Sequence, residues 1–254
     1  MKMLPCTSAR LIYIFPDDQL QTILEAIINH PWIGGTNQGL DPGNFRGTQG
    51  FVVKFNREGA PKIGELKELA PFASYFQRAK KEKNNAFVLN VLVVGPSSSI
   101  EQDAVKMHLD DTVGYNYTRG KRQFLAEEVN ALYVQVPPAI KGGNLKIWRW
   151  HRSLLTSLKI FMWRQVGAAK PDALLRPQQN TMITFRGDAL HAVQAFTLPN
   201  SKRMIDGGGG DINEDHNDDK EAARFKTKRV SLILEQYSIP EELYLDTIEF
   251  QVYR

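Results

Sequence analysis

The strongest restriction on the fold comes from two short segments, residues 103–110 and 185–191, which carry three potential metal ligands. His108 and Asp110 are two positions apart, so their side chains point to the same face if the first segment is a strand. His191, in the second segment, supplies another imidazole. Two histidines and one carboxylate form the facial ligand set of non-haem Fe(II) sites, which leaves the opposite face of the metal open. His-x-Asp alone is a common chance pattern, so the assignment depends on the surrounding sequence.

Strand-like segments surround these potential ligands and carry further motifs. The apolar runs are residues 87–94, 130–136, 142–148, 182–193 and 229–237. A Gly-Gly-x-Leu turn begins at Gly142, a Phe-Arg-Gly-Asp-x-Leu-His-x-Val strand begins at Phe185, and an Arg-x-Ser strand begins at Arg229. In this order, the motifs resemble those of the 2-oxoglutarate/Fe(II)-dependent dioxygenase superfamily and, within it, of the prolyl-4-hydroxylase-like branch. The resemblance covers roughly residues 86–238.

The resemblance implies a mainly β fold with flanking helices (α+β), built on a double-stranded β-helix core of the jelly-roll, cupin-like type. At 254 residues the chain is long enough for one sizeable hydrophobic core, so we expect a single domain, residues 1–254. Within it, we expect N-terminal helical and strand support at residues 1–85 and the core at residues 86–238. The core contains an acidic glycine-rich insertion at residues 204–226, and a C-terminal extension follows at residues 239–254.

Local patterns predict further elements outside the core. Residues 10–16 are predicted to form a short strand, and residues 17–30 a helix with Asp17 or Asp18 as its N-cap. His30 ends that helix and is expected to be structural rather than a metal ligand. We also predict a loop at residues 32–49, a strand at residues 51–55 and a helix at residues 63–83. An added amphipathic helix is predicted at residues 149–170.

The resemblance also implies a binding site for 2-oxoglutarate, whose distal carboxylate meets a cation on the strand after the second histidine. Arg229 matches that place, Ser231 would add a hydroxyl on the same side, and Asn90 is a third candidate contact. Arginine suits a carboxylate because its planar fork bonds both oxygens. Relatives place the cation closer to the histidine than the 38 residues found here, so Arg203 remains an alternative. The insertion at residues 204–226 accounts for the longer spacing and favours Arg229.

The implied activity is that of a hydroxylase that consumes oxoglutarate and O₂, releases succinate and CO₂, and has ascorbate as a candidate reductant. We expect a small-molecule substrate, an amino acid or secondary metabolite, in a pocket to which Tyr115, Tyr117 and Trp148 are candidate contributors. One alternative is hydroxylation of a prolyl or other residue in a protein or peptide. Another is a catalytically silent jelly roll used for binding. Nucleic acid is disfavoured, because Glu235 stands where demethylases of the superfamily carry a second arginine.

Composition narrows the cellular setting without fixing an oligomeric state. No apolar run is long enough for a transmembrane helix and the N-terminus lacks a signal peptide's apolar core, so we expect a cytoplasmic protein without membrane contact. Cys6 is the single cysteine, which suits a reducing compartment. The net charge of +4 combines −6 over residues 206–221 with +10 over the remainder. A basic body of this kind most simply keeps the surface solvated.

Overall fold

The computed structural model describes residues 12–34, 39–45, 47–113, 124–148, 170–199 and 225–254. Two of the predicted features therefore lie outside the described residues almost entirely. These are the amphipathic helix at residues 149–170 and the acidic insertion at residues 204–226.

Strands make up most of the described secondary structure, and the helices are few and short. The strands are β1 Ile12–Tyr13, β2 Thr48–Asn56, β3 Ala86–Val94, β4 Asp103–His108, β5 Glu128–Gln135, β6 Lys141–Gly142, β7 Leu145–Trp148, β8 Ala173–Leu175, β9 Thr181–Phe185, β10 Leu190–Gln194, β11 Phe196–Thr197, β12 Arg229–Tyr237 and β13 Phe250–Tyr253. The helices are α1 Asp17–Ile28, α2 Lys62–Glu65, α3 Ala73–Ala79 and α4 Glu241–Tyr244, with a 3₁₀ helix at Ala70–Phe72. The prediction of a mainly β fold with flanking helices is confirmed.

Two antiparallel sheets form the body of the protein. The larger sheet has seven strands in the order β1-β9-β5-β12-β3-β2-β13, and the smaller has four in the order β4-β10-β7-β8. A two-stranded pair of β11 and β6 completes the described sheets. Strands β3, β5, β9 and β12 of the larger sheet are separated along the chain by β4, by the β7-β8 pair and by β10 of the smaller sheet, so the chain crosses repeatedly between the layers.

The inner faces of the two sheets pack against each other through apolar side chains. Leu92 and Val94 of the larger sheet contact the same cluster as Val105 of the smaller sheet. Tyr133 and Ile183 pack in the same way with residues of β7. Burying one such side chain stabilises the fold by roughly 1.5–3 kcal/mol.

The outer face of the larger sheet is covered by the N-terminal helices. Ile23 and Ile27 of α1 and Phe76 of α3 are buried in one cluster with Phe51 and Leu232 of the sheet. Strand β12 therefore buries both of its faces, one under the helices and the other between the sheets. This position explains its long apolar pattern, since a strand covered on both sides has no solvent-facing row.

Several N-terminal elements differ from their predicted form. The helix predicted at residues 63–83 is broken into α2, the 3₁₀ helix and α3. The reason is that Pro71 has no N–H for the carbonyl of residue 67, and Gly64 weakens the helix before it. The cap of α1 is Pro16 rather than an aspartate, and the two predicted aspartates lie in the first turn instead.

The ends of the predicted strands also shift. Of the strand predicted at residues 10–16, the described part begins at residue 12 and contains β1 at Ile12–Tyr13. The strand predicted at residues 51–55 extends over the nine residues of β2. Each residue of β2 pairs with one of β3, so the neighbouring strand extends β2 into the predicted loop. In the C-terminal extension, β13 pairs with β2 at the edge of the larger sheet. No helix among the described residues is long and apolar enough to cross a membrane.

His30 occupies the aromatic cluster beneath α1. Its ring stacks on Phe51 with centroids 4.4 Å apart and meets Trp32 edge-on at 4.9 Å. Nδ1 accepts a hydrogen bond from the Trp32 backbone N–H, so Nε2 carries the proton and donates to the Glu68 carbonyl. Burial lowers the pKa of His30 below its ordinary value of 6.5. The histidine is thus a neutral structural residue, as its place at the helix end predicts.

The stability of the fold should fall as pH drops below 6.5, the ordinary pKa of histidine. The unfolded chain then takes up a proton that the folded state resists at His30, so the stability present above that pH is progressively lost. Urea unfolding at several pH values should give a shallower pH dependence for His30→Gln than for the wild type. Equal slopes for the two proteins would contradict this account of His30.

Candidate metal centre

The two histidines lie opposite each other on neighbouring strands. His108 is the last residue of β4, His191 is the second residue of β10, and the two are direct partners in the antiparallel register. Their ring centroids are 4.2 Å apart. Because partner residues in an antiparallel pair project to the same face, both imidazoles enter the space between the sheets.

Asp110 reaches the same space by a route that differs from the prediction. Strand β4 ends at His108, so strand alternation does not place the carboxylate. Instead, the Asp110 N–H donates to the Gly187 carbonyl at 3.3 Å, and the Asp110 carbonyl accepts from Ala126 at 2.8 Å. A Cβ at Gly187 would lie 2.4 Å from the Cβ of Ala126, so only glycine permits this close approach. Tertiary contacts, rather than strand geometry, bring Asp110 to the histidines.

The three side chains present acceptor atoms to one another. Asp110 Oδ1 lies 3.6 Å from His108 Nε2, and Asp110 Oδ2 lies 3.4 Å from His191 Nε2. Each Nδ1 faces a backbone carbonyl, that of Lys106 at 2.7 Å and that of Ala189 at 3.0 Å, which assigns the proton to Nδ1 in both rings. Both Nε2 lone pairs therefore face the carboxylate. The ligand atoms lie within 4.8 Å of one another, and a divalent cation between them would satisfy all three.

Burial shifts the pKa values of both histidines in the direction that metal binding requires, and it leaves the pKa of Asp110 below 7. Burial lowers the pKa of His108 to about 4, with the nearby His191 as the next cause, and burial lowers the pKa of His191 to about 4 as well. Burial raises the pKa of Asp110 to about 6. The imidazoles are thus neutral near pH 7, and the Asp110 Oδ2 atom has no hydrogen-bond partner among the described residues. Neutral imidazoles and an ionised carboxylate are the forms that bind metal.

A narrow inner cavity of about 50 Å³ extends from these side chains into the space between the sheets. Its walls include Asn90, Arg229, Ser231 and Glu235 together with the three potential ligands. The sequence-predicted oxoglutarate contacts are therefore brought to the same cavity as the candidate metal ligands. Burial, and next the charge of Asp110, raise the pKa of Glu235 to about 8.

Arg229 is a buried cation whose side chain is only partly satisfied. Its exposure is 1%, its Nη1 donates to the Gly143 carbonyl at 2.7 Å, and its guanidinium lies 5.8 Å from the centroid of the Tyr133 ring. Arg229 Nε and Ser231 Oγ have no hydrogen-bond partner among the described residues. Burial lowers the pKa of Arg229, so a bound anion would relieve the cost of the buried charge.

The Gly-Gly-x-Leu turn positions the carbonyl that holds Arg229. Gly142 and Gly143 have φ values of +83° and +72°, which side chains rarely adopt. A Cβ on Gly142 would also lie 2.5 Å from the Ala195 carbonyl oxygen. Both glycines are therefore required for the backbone path that directs the Gly143 carbonyl at the guanidinium.

An outer cavity of about 620 Å³ adjoins the inner one, with Phe45 and His108 lining both. Its walls come from the segment after residue 39, from Lys54 of β2 and from residues 107–113. Sequence analysis missed the first of these segments, because it assigned residues 32–49 only as a loop. The aromatic ring of Phe45, which lies 4.9 Å from that of His108, could have been found only from tertiary contacts.

The remaining predicted site residues lie elsewhere or outside the described residues. Trp148 is buried on the outer face of the smaller sheet, in a cluster with Leu190 and Ala192, and it lines neither cavity. Its role in a substrate pocket stays a prediction: neighbouring side chains on a strand alternate between faces, and its strand partner Leu190, on the face opposite His191, lines the outer cavity. Tyr115, Tyr117 and Arg203 lie outside the described residues.

No family profile and no curated protein matches the sequence. Among solved structures, a prolyl-4-hydroxylase from Pseudomonas putida is similar at 13% identity, over 92% of this chain and 95% of that one, with a TM-score of 0.43. An N-substituted L-amino acid dioxygenase from Burkholderia ambifaria AMMD is similar at 14% identity, over 96% and 85%, with a TM-score of 0.47.

A third similar structure is HygX from Streptomyces hygroscopicus, at 11% identity over 91% of this chain and 83% of that one, with a TM-score of 0.40. That structure holds nickel, 2-oxoglutarate and hygromycin B. A further similar structure, from Burkholderia pseudomallei, is named as a member of the 2OG-Fe(II) oxygenase family. At identities this low, the function has to be argued from the residues of this chain.

A divalent cation should stabilise the protein through the three candidate ligands. Saturating Mn(II) should raise the free energy of unfolding, by about 2.7 kcal/mol at a metal concentration 100 times the dissociation constant. His191→Ala should lose this increase, because only two ligands remain. His30→Ala, which removes a buried histidine elsewhere, should be less stable than the wild type but keep the increase. A full Mn(II) response in His191→Ala would rule out this site.

Proposed function

We propose that this chain is an Fe(II)- and 2-oxoglutarate-dependent dioxygenase that hydroxylates an unactivated C–H bond of a small molecule. The proposal rests on two sets of polar atoms around one cavity, one of acceptors and one of donors, each of which lacks a matching partner. At one place, His108, Asp110 and His191 direct three acceptors at a common point. At another, Arg229 and Ser231 direct donors that have no partner among the described residues. A cation and an anion are both needed to satisfy them.

The donor set at the first place fits ferrous iron. Two imidazoles and one carboxylate give three protein ligands and leave open positions, whereas structural zinc takes a fourth ligand from the protein. Among the described residues, these three form the one group of metal-ligating side chains close enough to share an ion. Together with oxoglutarate and O₂, bound ferrous iron supplies the oxidation that converts a C–H bond to an alcohol, with release of succinate and CO₂.

The donors at the second place fit the distal carboxylate of oxoglutarate. The free Nε of Arg229 and the hydroxyl of Ser231 stand on the same face of β12, two residues apart. Gly143 fixes the guanidinium through Nη1 and leaves Nε available. A charge-assisted pair in this dry position is stronger than one at the surface. Asn90, on the neighbouring strand β3, lines the same cavity and is a third contact in this proposal.

The strand order supports a double-stranded β-helix core. Strands β3, β12, β5 and β9 are adjacent in the larger sheet, and β4, β10, β7 and β8 are adjacent in the smaller one. Eight strands in two facing antiparallel sheets, with the chain passing repeatedly between them, are the jelly-roll arrangement. We assign the core to residues 86–238 of a single domain and place the enzyme in the reducing cytosol, where iron stays ferrous.

The outer cavity favours a small-molecule substrate such as an amino acid or secondary metabolite. Its volume of about 620 Å³ lies in the range of pockets that enclose small ligands, and it shares His108 with the inner cavity. A substrate there would lie beside the metal, and the slender cosubstrate would fill the narrow space beneath. The names of the structural neighbours include both prolyl hydroxylases and an amino acid dioxygenase, so the cavity itself is the basis of this choice.

The reaction class is tested in two steps with the wild-type protein. Anaerobic addition of Fe(II) and oxoglutarate should produce the weak visible charge-transfer band of the chelated complex. Compound pools, with amino acids first, should then reveal a substrate that stimulates succinate release. A protein that gives neither the band nor succinate would instead be a catalytically silent binding module.

Arg229→Gln should raise the dissociation constant for oxoglutarate at least tenfold, since loss of a charged hydrogen-bond partner costs about 1.5–3 kcal/mol. The affinity for Mn(II) should be unchanged, because the guanidinium contributes no ligand. Arg57→Ala, which removes a largely exposed arginine, serves as the control and should bind oxoglutarate normally. Normal oxoglutarate affinity in Arg229→Gln would transfer the role to Arg203.

A further inference from the structure

Two buried side chains and one half-buried side chain form a closed hydrogen-bonded ring beside the candidate metal centre. The Thr112 hydroxyl donates to Glu235 Oε1 at 3.1 Å, and the Thr112 backbone N–H donates to the Tyr237 hydroxyl at 3.0 Å. The Tyr237 hydroxyl in turn donates to Glu235 Oε2. We refer to Thr112, Glu235 and Tyr237 as the Glu235 ring. Every contact in it joins the segment after Asp110 to strand β12, or joins the two β12 residues to each other.

The ring connects the two sheets at the metal-binding end of the cavity. Glu235 and Tyr237 stand on the same face of β12 as Arg229 and Ser231, further along the strand. They are 3% and 0% exposed, so their hydrogen bonds are sheltered from water. Thr112 follows β4 of the smaller sheet. One strand therefore carries the residues proposed for the cosubstrate and the residues that hold the segment next to a metal ligand.

Asp110 depends on this segment because it lies beyond the end of β4. Backbone hydrogen bonds to Gly187 and Ala126 fix the Asp110 backbone on one side, and the ring fixes Thr112 two residues later. Residues 109–113 have no regular secondary structure of their own. A ligand on such a segment is held to within a few tenths of an ångström only when surrounding contacts restrict it. The ring supplies contacts from the opposite sheet.

The chemistry of the ring indicates more than packing. A threonine, a glutamate and a tyrosine are placed where apolar side chains would fill the same volume without the cost of a buried carboxylate. Thr112 donates two of the hydrogen bonds in the ring, one from its backbone N–H and one from its side-chain hydroxyl. Both restrain the path of the chain two residues after Asp110.

We infer that Glu235 and Tyr237 are positioning residues that hold Asp110 in the geometry required for metal binding. The inference rests on the proposed function, because it takes Asp110 as a ligand of the iron. Glu235 and Tyr237 act through Thr112 and line no part of the outer cavity themselves. Since Asp111, Thr112 and Val113 also line the outer cavity, the same hydrogen bonds fix one wall of the proposed substrate site.

The experiment compares Mn(II) affinity in Tyr237→Phe, Thr112→Val and a matched control. Both variants keep the shape of the side chain and remove hydroxyl contacts, and each should raise the Mn(II) dissociation constant about tenfold, the scale seen when groups that orient metal ligands are removed. Tyr75→Phe is the control, because Tyr75 is also fully buried and its hydroxyl donates to two backbone carbonyls of the larger sheet. It should lose stability but keep wild-type Mn(II) affinity. Thr112→Ser, which retains the hydroxyl, should restore binding.

The outcomes separate this inference from the proposed function. Weaker Mn(II) binding in Thr112→Val with recovery in Thr112→Ser supports the positioning role, even if Tyr237→Phe fails to fold. Wild-type affinity in Thr112→Val, or an equal loss in Tyr75→Phe, overturns the positioning role and leaves the metal centre intact. A wild-type protein that binds no Mn(II) overturns the metal centre and this inference together.

Discussion

The hydrogen bonding of β12 on both of its sides is the constraint on which the rest of the structure depends. Nine residues of β12 pair with β3, and most of them also pair with β5. A strand paired in this way cannot rotate, so alternate side chains are committed to opposite faces. One row, with Leu232 and Leu234, joins the core beneath the helices, while the other enters the space between the sheets.

That second row places polar and ionisable groups where an ordinary core would place apolar groups. Arg229 and Glu235 are buried at different positions along the cavity, and Asp110 approaches from the opposite sheet. Buried polar atoms without a partner among the described residues, such as Arg229 Nε and Asp110 Oδ2, reduce stability, and they persist where a ligand compensates for them. The same reasoning applies to the Nε2 atoms of His108 and His191, which face the Asp110 carboxylate with no proton between them. These groups support the proposal that the cavity binds two ligands of opposite charge.

Sequence patterns identified the parts of this arrangement that local rules control. Continuous apolar runs located β3 and β12, and the spacing of Arg229 and Ser231 put both on one face. The mainly β fold, which the family resemblance implied, was predicted correctly. The roles of the candidate ligands and of Arg229 stay predictions, although the structure brings these side chains to one cavity.

Other features depended on contacts between distant residues, which a local pattern does not contain. Strand alternation was the wrong reason for the convergence of Asp110, since the contacts with Gly187 and Ala126 place it. Trp148 lies on the outer face because its strand pairs with β10. Phe45 contributes to the wall of the outer cavity because its loop packs beside His108. In each case the deciding partner lies tens of residues away along the chain.

The central position of β12 also determines how the molecule opens. Its amide protons are held by neighbours on both sides, so they exchange with solvent only when the whole sheet separates. Residues 109–113, with few backbone bonds of their own, open in smaller fluctuations. Asp110 is therefore expected to move in local fluctuations during which Arg229 stays in place. In the proposed enzyme, release of the metal and release of oxoglutarate would then be governed by motions of different cooperativity within one cavity.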